Sequence, residues 1–213
     1  MDYISSISSK QLDVLKEVGN IGAGHSATAL SKLLNKKIDM NVPNVKVVSF
    51  NELMEWVGGP EVVIASVFLR IEGDIPGSLF FVLSIEQAEH FIKQLISDDE
   101  FTFQSKYDEL GLSAFQELGN ILTGSYLSAL SDLTELSIFP SVPALSIDMF
   151  GAVISYGLIE LSRVSDYAIV IDTIIKEQDI HSEADIVKGH FFLLPDPDSF
   201  KTLFSALGVH DDV

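Results

Sequence analysis

"EVGNIGAGHSATA", running from Glu17 to Ala29, admits two readings. Gly22-x-Gly24-x-x-Ala27 fits the glycine fingerprint of a dinucleotide-binding turn, which needs a strand ahead of the glycines and a helix beginning within them. The same stretch sets a carboxylate, Glu17, three residues ahead of an amide, Asn20. Its flanks decide between the two. From Leu12 onward the apolar residues recur with a helical period, so the chain is already helical before Gly19 and the cofactor-loop reading fails.

A second stretch, "ELGNILTGSYLSA" (Glu117 to Ala129), has the same form. In that register Leu12 pairs with Leu112, Gly19 with Gly119, Asn20 with Asn120, Gly24 with Gly124 and Ile38 with Ile138, and the match runs on to Val42-Pro43 against Val142-Pro143. Gly22 becomes Leu122, which breaks the glycine fingerprint while the Glu and the Asn stay. A match of this length points to internal duplication. Further on, Val62–Ile71 resembles Tyr167–Lys176, each a dense β-branched run that reads as a buried strand. Gly77–Ile96 resembles Gly189–Gly208, a strand followed by a helix. "DIPG" (Asp74–Gly77) reads as a tight hairpin turn, and the acidic "KEQDIHSEADIVK" (Lys176–Lys188) replaces it in the second copy as a surface loop or hairpin tip. Phe50–Gly58 reads as a short helix with Asp148–Ser162 as its counterpart, Asp148 serving as N-cap. Each copy is then expected to run helix, strand, helix, strand, strand, helix. The expected fold is α+β: one domain over residues 1–213, made of two repeats (about 10–100 and 110–210) related by a pseudo-two-fold, with a mainly antiparallel sheet and long helices packed on it.

At about 100° per residue the first helix has two faces. Leu15, Val18, Gly22, Ser26, Ala29, Leu30 and Leu33 are assigned to the core; Asp13, Glu17, Asn20, Gly24 and Ser31 to the opposite face. In the second copy Phe115, Leu118, Leu122, Tyr126, Ala129 and Leu133 face inward, while Ser113, Glu117, Asn120, Gly124 and Ser131 face out. A single Glu-x-x-Asn is ordinarily a solvated helix face. Here the outward positions agree between copies while inward ones vary, as with Gly22 and Leu122, the opposite of what a purely structural repeat should do. Each interior glycine costs about 1 kcal/mol against alanine. Gly24, one turn beyond Asn20 and repeated as Gly124, reads as clearance for an incoming group.

The chain has 213 residues, of which 47% are hydrophobic, enough for a substantial core. A net charge of −18 without a basic cluster argues against nucleic acid and against anionic membrane. There is no cysteine, and "MDYISSISSK" has neither a basic nor an apolar leader segment, so a cytoplasmic protein is expected. His181, Glu183, Asp185 and His190 fit no standard zinc spacing and read as an acidic loop. Trp56 reads as a packing residue of the short helix.

A carboxylate and an amide at i and i+3 are neighbours on a helix. The carboxylate can pair with a cation, and the amide can hold a water in line for attack on phosphorus. The strip has no Arg, metal triad or glycine cradle, so it cannot by itself neutralise a transferring phosphoryl group. Metal and cation must arrive with the substrate, which points to a phosphorylated protein carrying its own divalent ion and Lys.

Asp13-x-x-x-Glu17-x-x-Asn20 followed by Pro43, and Ser113-x-x-x-Glu117-x-x-Asn120 followed by Pro143 at the same spacing, resemble the paired signature of the CheC/CheX/FliY chemotaxis phosphatases. Two intact sites spread over nearly the whole chain are most similar to the CheC type. The resemblance implies hydrolysis of the aspartyl phosphate on the response regulator CheY, with Asn20 and Asn120 orienting the attacking water and Glu17 and Glu117 pairing with the regulator's Lys. It implies no cofactor of the chain's own, Mg²⁺ belonging to the regulator. It also implies a second partner, the receptor deamidase CheD, docking on the segment that opens with Asp148-Met149. Asp13, Ser113, Gly24, Gly124, Pro43 and Pro143 would have supporting roles. The rival expectation is a non-catalytic adaptor that binds CheD in response to CheY phosphorylation. A duplicated chain of this kind is expected to be a monomer, and Tyr126 for Ser26 and Leu127 for Ala27 are expected to make its two sites unequal.

Overall fold

The structure is a computed structural model that describes residues 7–103, 109–161, 167–178 and 186–209. Its first half comprises α1 (Ser9–Leu34), β1 (Ile38–Asn41), β2 (Val45–Ser49), α2 (Phe50–Val57), β3 (Val63–Gly73), β4 (Gly77–Ser84) and α3 (Ile85–Ile96). The second comprises α4 (Glu109–Thr134), β5 (Ile138–Pro140), β6 (Ala144–Met149), α5 (Phe150–Leu161), β7 (Tyr167–Glu177), β8 (Val187–Pro195) and α6 (Pro197–Ala206). The order helix, two short strands, helix, two long strands, helix thus occurs twice.

Local chemistry fixes the ends of these elements. Ser8 caps α1 by accepting from Gln11 N–H at 3.3 Å while the Gln11 side chain accepts from Ser8 N–H at 2.8 Å, a reciprocal capping box. Asn35 closes the same helix in a left-handed turn, φ 52°. Gly73 takes φ +104° at the β3–β4 hairpin, and a side chain there would run into the Ser137 carbonyl.

Three expectations change in detail. The single strand expected after each long helix is two strands, with Pro43 and Pro143 in the gaps; proline has no N–H to continue a ladder. Asp148 does not cap a helix. It lies in β6 opposite Ile64, its Oδ1 accepts from Met149 N–H at 2.7 Å, and α5 starts only at Phe150, because the backbone there is already paired with β3. The strand after α2 begins at Val63, so it aligns with Tyr167 rather than Val62 doing so, and the two strands then bury nearly the same positions. Of the four residues read as an acidic loop, His181, Glu183 and Asp185 lie outside the described residues, and His190 lies in β8 rather than in a loop.

All eight strands form one antiparallel sheet in the order β1-β7-β8-β4-β3-β5, with β2 also on β7 and β6 also on β3. The two halves therefore exchange edges: β1 and β2 complete the second half's β7, and β5 and β6 complete the first half's β3. At the centre β4 pairs with β8, Phe80 opposite Phe192 and Phe81 opposite Phe191. Strand alternation sends these rings to opposite faces. Phe81 and Phe191 join the larger core beneath α1, α3, α4 and α6, with Leu30, Phe115, Leu118 and Phe204. Phe80 and Phe192 join the smaller core beneath α2 and α5, with Leu53, Phe150 and Ile154. Each fully buried ring of this kind contributes about 1.5–3 kcal/mol. Among the described residues no helix is long and apolar enough to cross a membrane.

Candidate active site

The long helices α1 and α4 lie side by side on the larger-core face and touch where Gly22 meets Tyr126; a Cβ at Gly22 would lie 3.0 Å from the Tyr126 Cα. That contact turns the opposite strip of each helix to solvent. Asp13, Glu17 and Gly24 are exposed on α1, as are Ser113, Glu117 and Asn120 on α4. The Glu17 and Glu117 carboxylates make no hydrogen bond or ion pair with any described residue. A Cβ on Gly24 or Gly124 would find nothing within 4 Å, so both glycines open onto free space beside the pairs.

The two amides differ. Asn20 is half-buried: its Oδ1 accepts from Val42 N–H at 2.9 Å and its Nδ2 donates to Lys16 O at 3.0 Å. Asn120 is exposed and makes no hydrogen bond with a described residue. The corners that follow the helices differ in step. Val42 is 1% exposed whereas Val142 is 86% exposed. Pro43 lies exposed beyond Val42, while the corner at Pro143 is held by Ser141, whose N–H donates to Arg70 O and whose Oγ accepts from Arg70 N–H, both at 2.9 Å.

Not every residue assigned to a helix face keeps that place. Ser31 and Ser131 are half-buried rather than outward. Ser31 Oγ accepts from Ile38 N–H at 2.9 Å, and Ser131 Oγ donates to Leu136 O at 2.6 Å, so both fasten the turn that leaves their helix. Leu33 and Leu133, expected in the core, are each 44% exposed; in that last turn the inward position falls one residue later, on Leu34, which packs against the core, and on the buried Thr134. Asp148 and Met149 are exposed at the end of edge strand β6, away from the Glu and Asn pairs in sequence and on another element. Trp56 is 40% exposed and packs edge-on against His190 at 4.2 Å with Lys46 over its ring. His190 pairs with Asp172 at 3.0 Å. Val42 and Tyr126, which shape the first site, were marked in the sequence only by the Val-Pro pair and by Tyr standing where the first copy has Ser.

Among the described residues no three acidic or histidine side chains converge as a metal site would require. What the strip offers is a free carboxylate and an amide on a convex, open helix. Small-molecule sites are ordinarily concave pockets, whereas these side chains stand out from an exposed helix face.

The architecture is shared with Thermotoga maritima FliY, at a TM-score of 0.74 over 95% of this chain and 98% of that one with 20% identity. It is also shared with the CheX–CheY–BeF3–Mg²⁺ complex from Borrelia burgdorferi, at a TM-score of 0.50 over 81% and 96% with 16% identity. A model of the CheC-like family matches residues 11–47 and 110–147, the long helix and following corner of each half. The chain is 54% identical over 209 residues to the CheY-P phosphatase CheC of Bacillus subtilis (strain 168), covering 98% of this chain and 99% of that one. It belongs to the CheC-like family.

Proposed function

We propose that the chain is a phosphatase that removes the aspartyl phosphate from the chemotaxis response regulator CheY. The observation that carries this reading is the twofold occurrence of an unpaired carboxylate three residues ahead of an amide, on an exposed helix strip with an open glycine beside it. It is supported by 54% identity to a CheY-P phosphatase and by a structural neighbour seen in complex with CheY. In this reading Asn20 or Asn120 accepts a hydrogen from water and aims its lone pair at phosphorus. The water oxygen bonds to phosphorus as the bond from phosphorus to the regulator's aspartyl oxygen breaks; both water protons end on the inorganic phosphate, and the aspartate is left as a free carboxylate. Glu17 or Glu117 pairs with the regulator's Lys and fixes the docked register. The Mg²⁺ that offsets the phosphoryl charge belongs to the regulator, since the strip has no cation to do so.

The recurrent element order is read as an internal duplication within a single cytoplasmic domain, a monomer with two sites. Met149, 46% exposed beside Asp148 at the sheet edge, supports a second role in docking the deamidase CheD. Phosphate release from purified CheY-P with and without the chain tests the function. Faster decay together with no turnover of p-nitrophenyl phosphate is expected. Decay at the regulator's intrinsic rate would contradict the reading.

A further inference from the structure

The two helices meet the sheet differently at matching glycines. A Cβ on Gly119 would lie 2.5 Å from Val67 Cγ2, so α4 rests directly on β3. The three atoms nearest a Cβ on Gly19 belong instead to Val42, at 3.1 and 3.5 Å, and to Tyr126, at 3.6 Å. Tyr126 is a wedge carried by α4. It is 5% exposed, its ring lies 4.3 Å from that of Phe191, and its hydroxyl is 3.2 Å from Thr173 Oγ1. A small cavity of about 30 Å³ lies between α1 and α4 beside this ring, lined by Leu15, Val18 and Gly19 on α1 and by Tyr126, Leu127 and Leu130 on α4. The matching position on α1 holds Ser26, fully buried and far smaller, so α4 has no such prop.

We propose that Tyr126 is the positioning residue that makes the two sites unequal. From the helix that carries Glu117 and Asn120 it props α1, Val42 closes in beside it against Gly19, and the Val42 N–H then ties back the Asn20 amide. To address a water on a docked regulator, Asn20 must give up the Val42 bond, whereas Asn120 has no such bond to break. The corner before Pro43 is thus a latch on the first site, whereas its counterpart before Pro143 is fastened to Arg70 through Ser141, leaves Val142 in solvent and does not hold Asn120. The consequence for rate rests on the phosphatase reading; the latch itself does not.

Amide hydrogen exchange read by NMR on the full chain tests the latch without any regulator. Two folded variants are compared with the parent: Tyr126→Ser, which installs the residue of the matching position, and Gly19→Ala, whose methyl would press on Val42 without emptying the core. In each, Val42 N–H is expected to exchange roughly fivefold faster, the factor carried by one net hydrogen bond, while amides of β4 and β8 stay protected. Tyr126→Phe, which keeps the ring, is expected to retain Val42 protection. Each releasing change, added to Asn120→Ala, is expected to raise the residual acceleration of CheY-P decay. Unchanged Val42 protection in both Gly19→Ala and Tyr126→Ser would overturn the proposal. Should the parent chain leave CheY-P untouched, the function fails, and the exchange comparison still decides the latch.

Discussion

The Asn20 Oδ1 atom accepts a hydrogen bond from the Val42 backbone N–H at 2.9 Å, while Asn120, the matching amide, is exposed and makes no hydrogen bond with a described residue. Two sites alike in sequence are therefore unlike in readiness. Asn120→Ala is expected to remove most of the acceleration of CheY-P decay and Asn20→Ala little of it. The larger loss should be on the order of 10²-fold, as for other single groups that act in the transition state. Decay curves for the two single variants, at equal folded concentration, check this.

Gly124 and Gly119 stand on one helix and should respond oppositely. A methyl at Gly124 meets nothing within 4 Å, so Gly124→Ala should stabilise α4 by about 1 kcal/mol while obstructing the regulator. A methyl at Gly119 would press on Val67 from 2.5 Å, so Gly119→Ala should destabilise by about 1–3 kcal/mol through overpacking. Urea midpoints paired with CheY-P decay rates separate the two. A Gly124→Ala variant as active as the parent would remove the clearance role.

Ser26 is fully buried, and its hydroxyl has no hydrogen-bond partner among the described residues. Ser26→Ala takes away an unsatisfied polar group and leaves the methylene in place, so stability should hold or rise by about 1 kcal/mol. A fall of that size in the denaturation midpoint would mean that the hydroxyl is satisfied after all.

The helix period and the Glu-x-x-Asn pairs were legible in the sequence because they are local. Glu17, Asn20, Glu117 and Asn120 fall on the long helices as expected, and both outer glycines are open. What was not legible depends on which distant strand lies alongside. No local pattern says that β1 and β2 pair with β7 from the other half, and that placement is what brings Val42 to Asn20. Asp148 departs from its expected cap position for the same reason: its cap chemistry is local, but pairing with Ile64 extends β6 through it. Leu33 and Leu133 are apolar yet 44% exposed, since apolar type alone does not report which of two adjacent residues, 33 or 34 and 133 or 134, the last turn presents to the core.

Asp172 is poised between opposing effects. Burial raises its carboxyl, but the hydrogen bond and charge of His190, the Lys46 charge and a hydrogen bond with Asn44 outweigh it and hold the group below its ordinary value. A carboxyl lowered in the folded state contributes stability above its unfolded pKa, about 3.9, and loses it as pH falls through the folded value. Asp172→Asn should therefore be less stable than the parent near neutral pH, with the gap narrowing below about pH 4. Trp56 fluorescence reports the unfolding, its ring being 4.2 Å from His190.

The free Glu17 and Glu117 carboxylates bear most directly on docking. Charge pairing across an exposed interface weakens as salt shortens the screening length to about 8 Å at physiological strength. CheY-P decay should slow with added salt, and Glu17→Gln with Glu117→Gln should lower the rate and flatten that dependence. An unchanged salt slope in the double variant would place the pairing elsewhere.

A role of the amides on the water, rather than merely in docking, requires that their loss stop the chemistry without undoing the complex. Its most direct measurement is CheY-P decay with the double variant Asn20→Ala, Asn120→Ala, alongside binding of the same variant to CheY carrying beryllofluoride and Mg²⁺. Acceleration is expected to be lost while binding is retained. Acceleration equal to that of the parent chain would contradict that role.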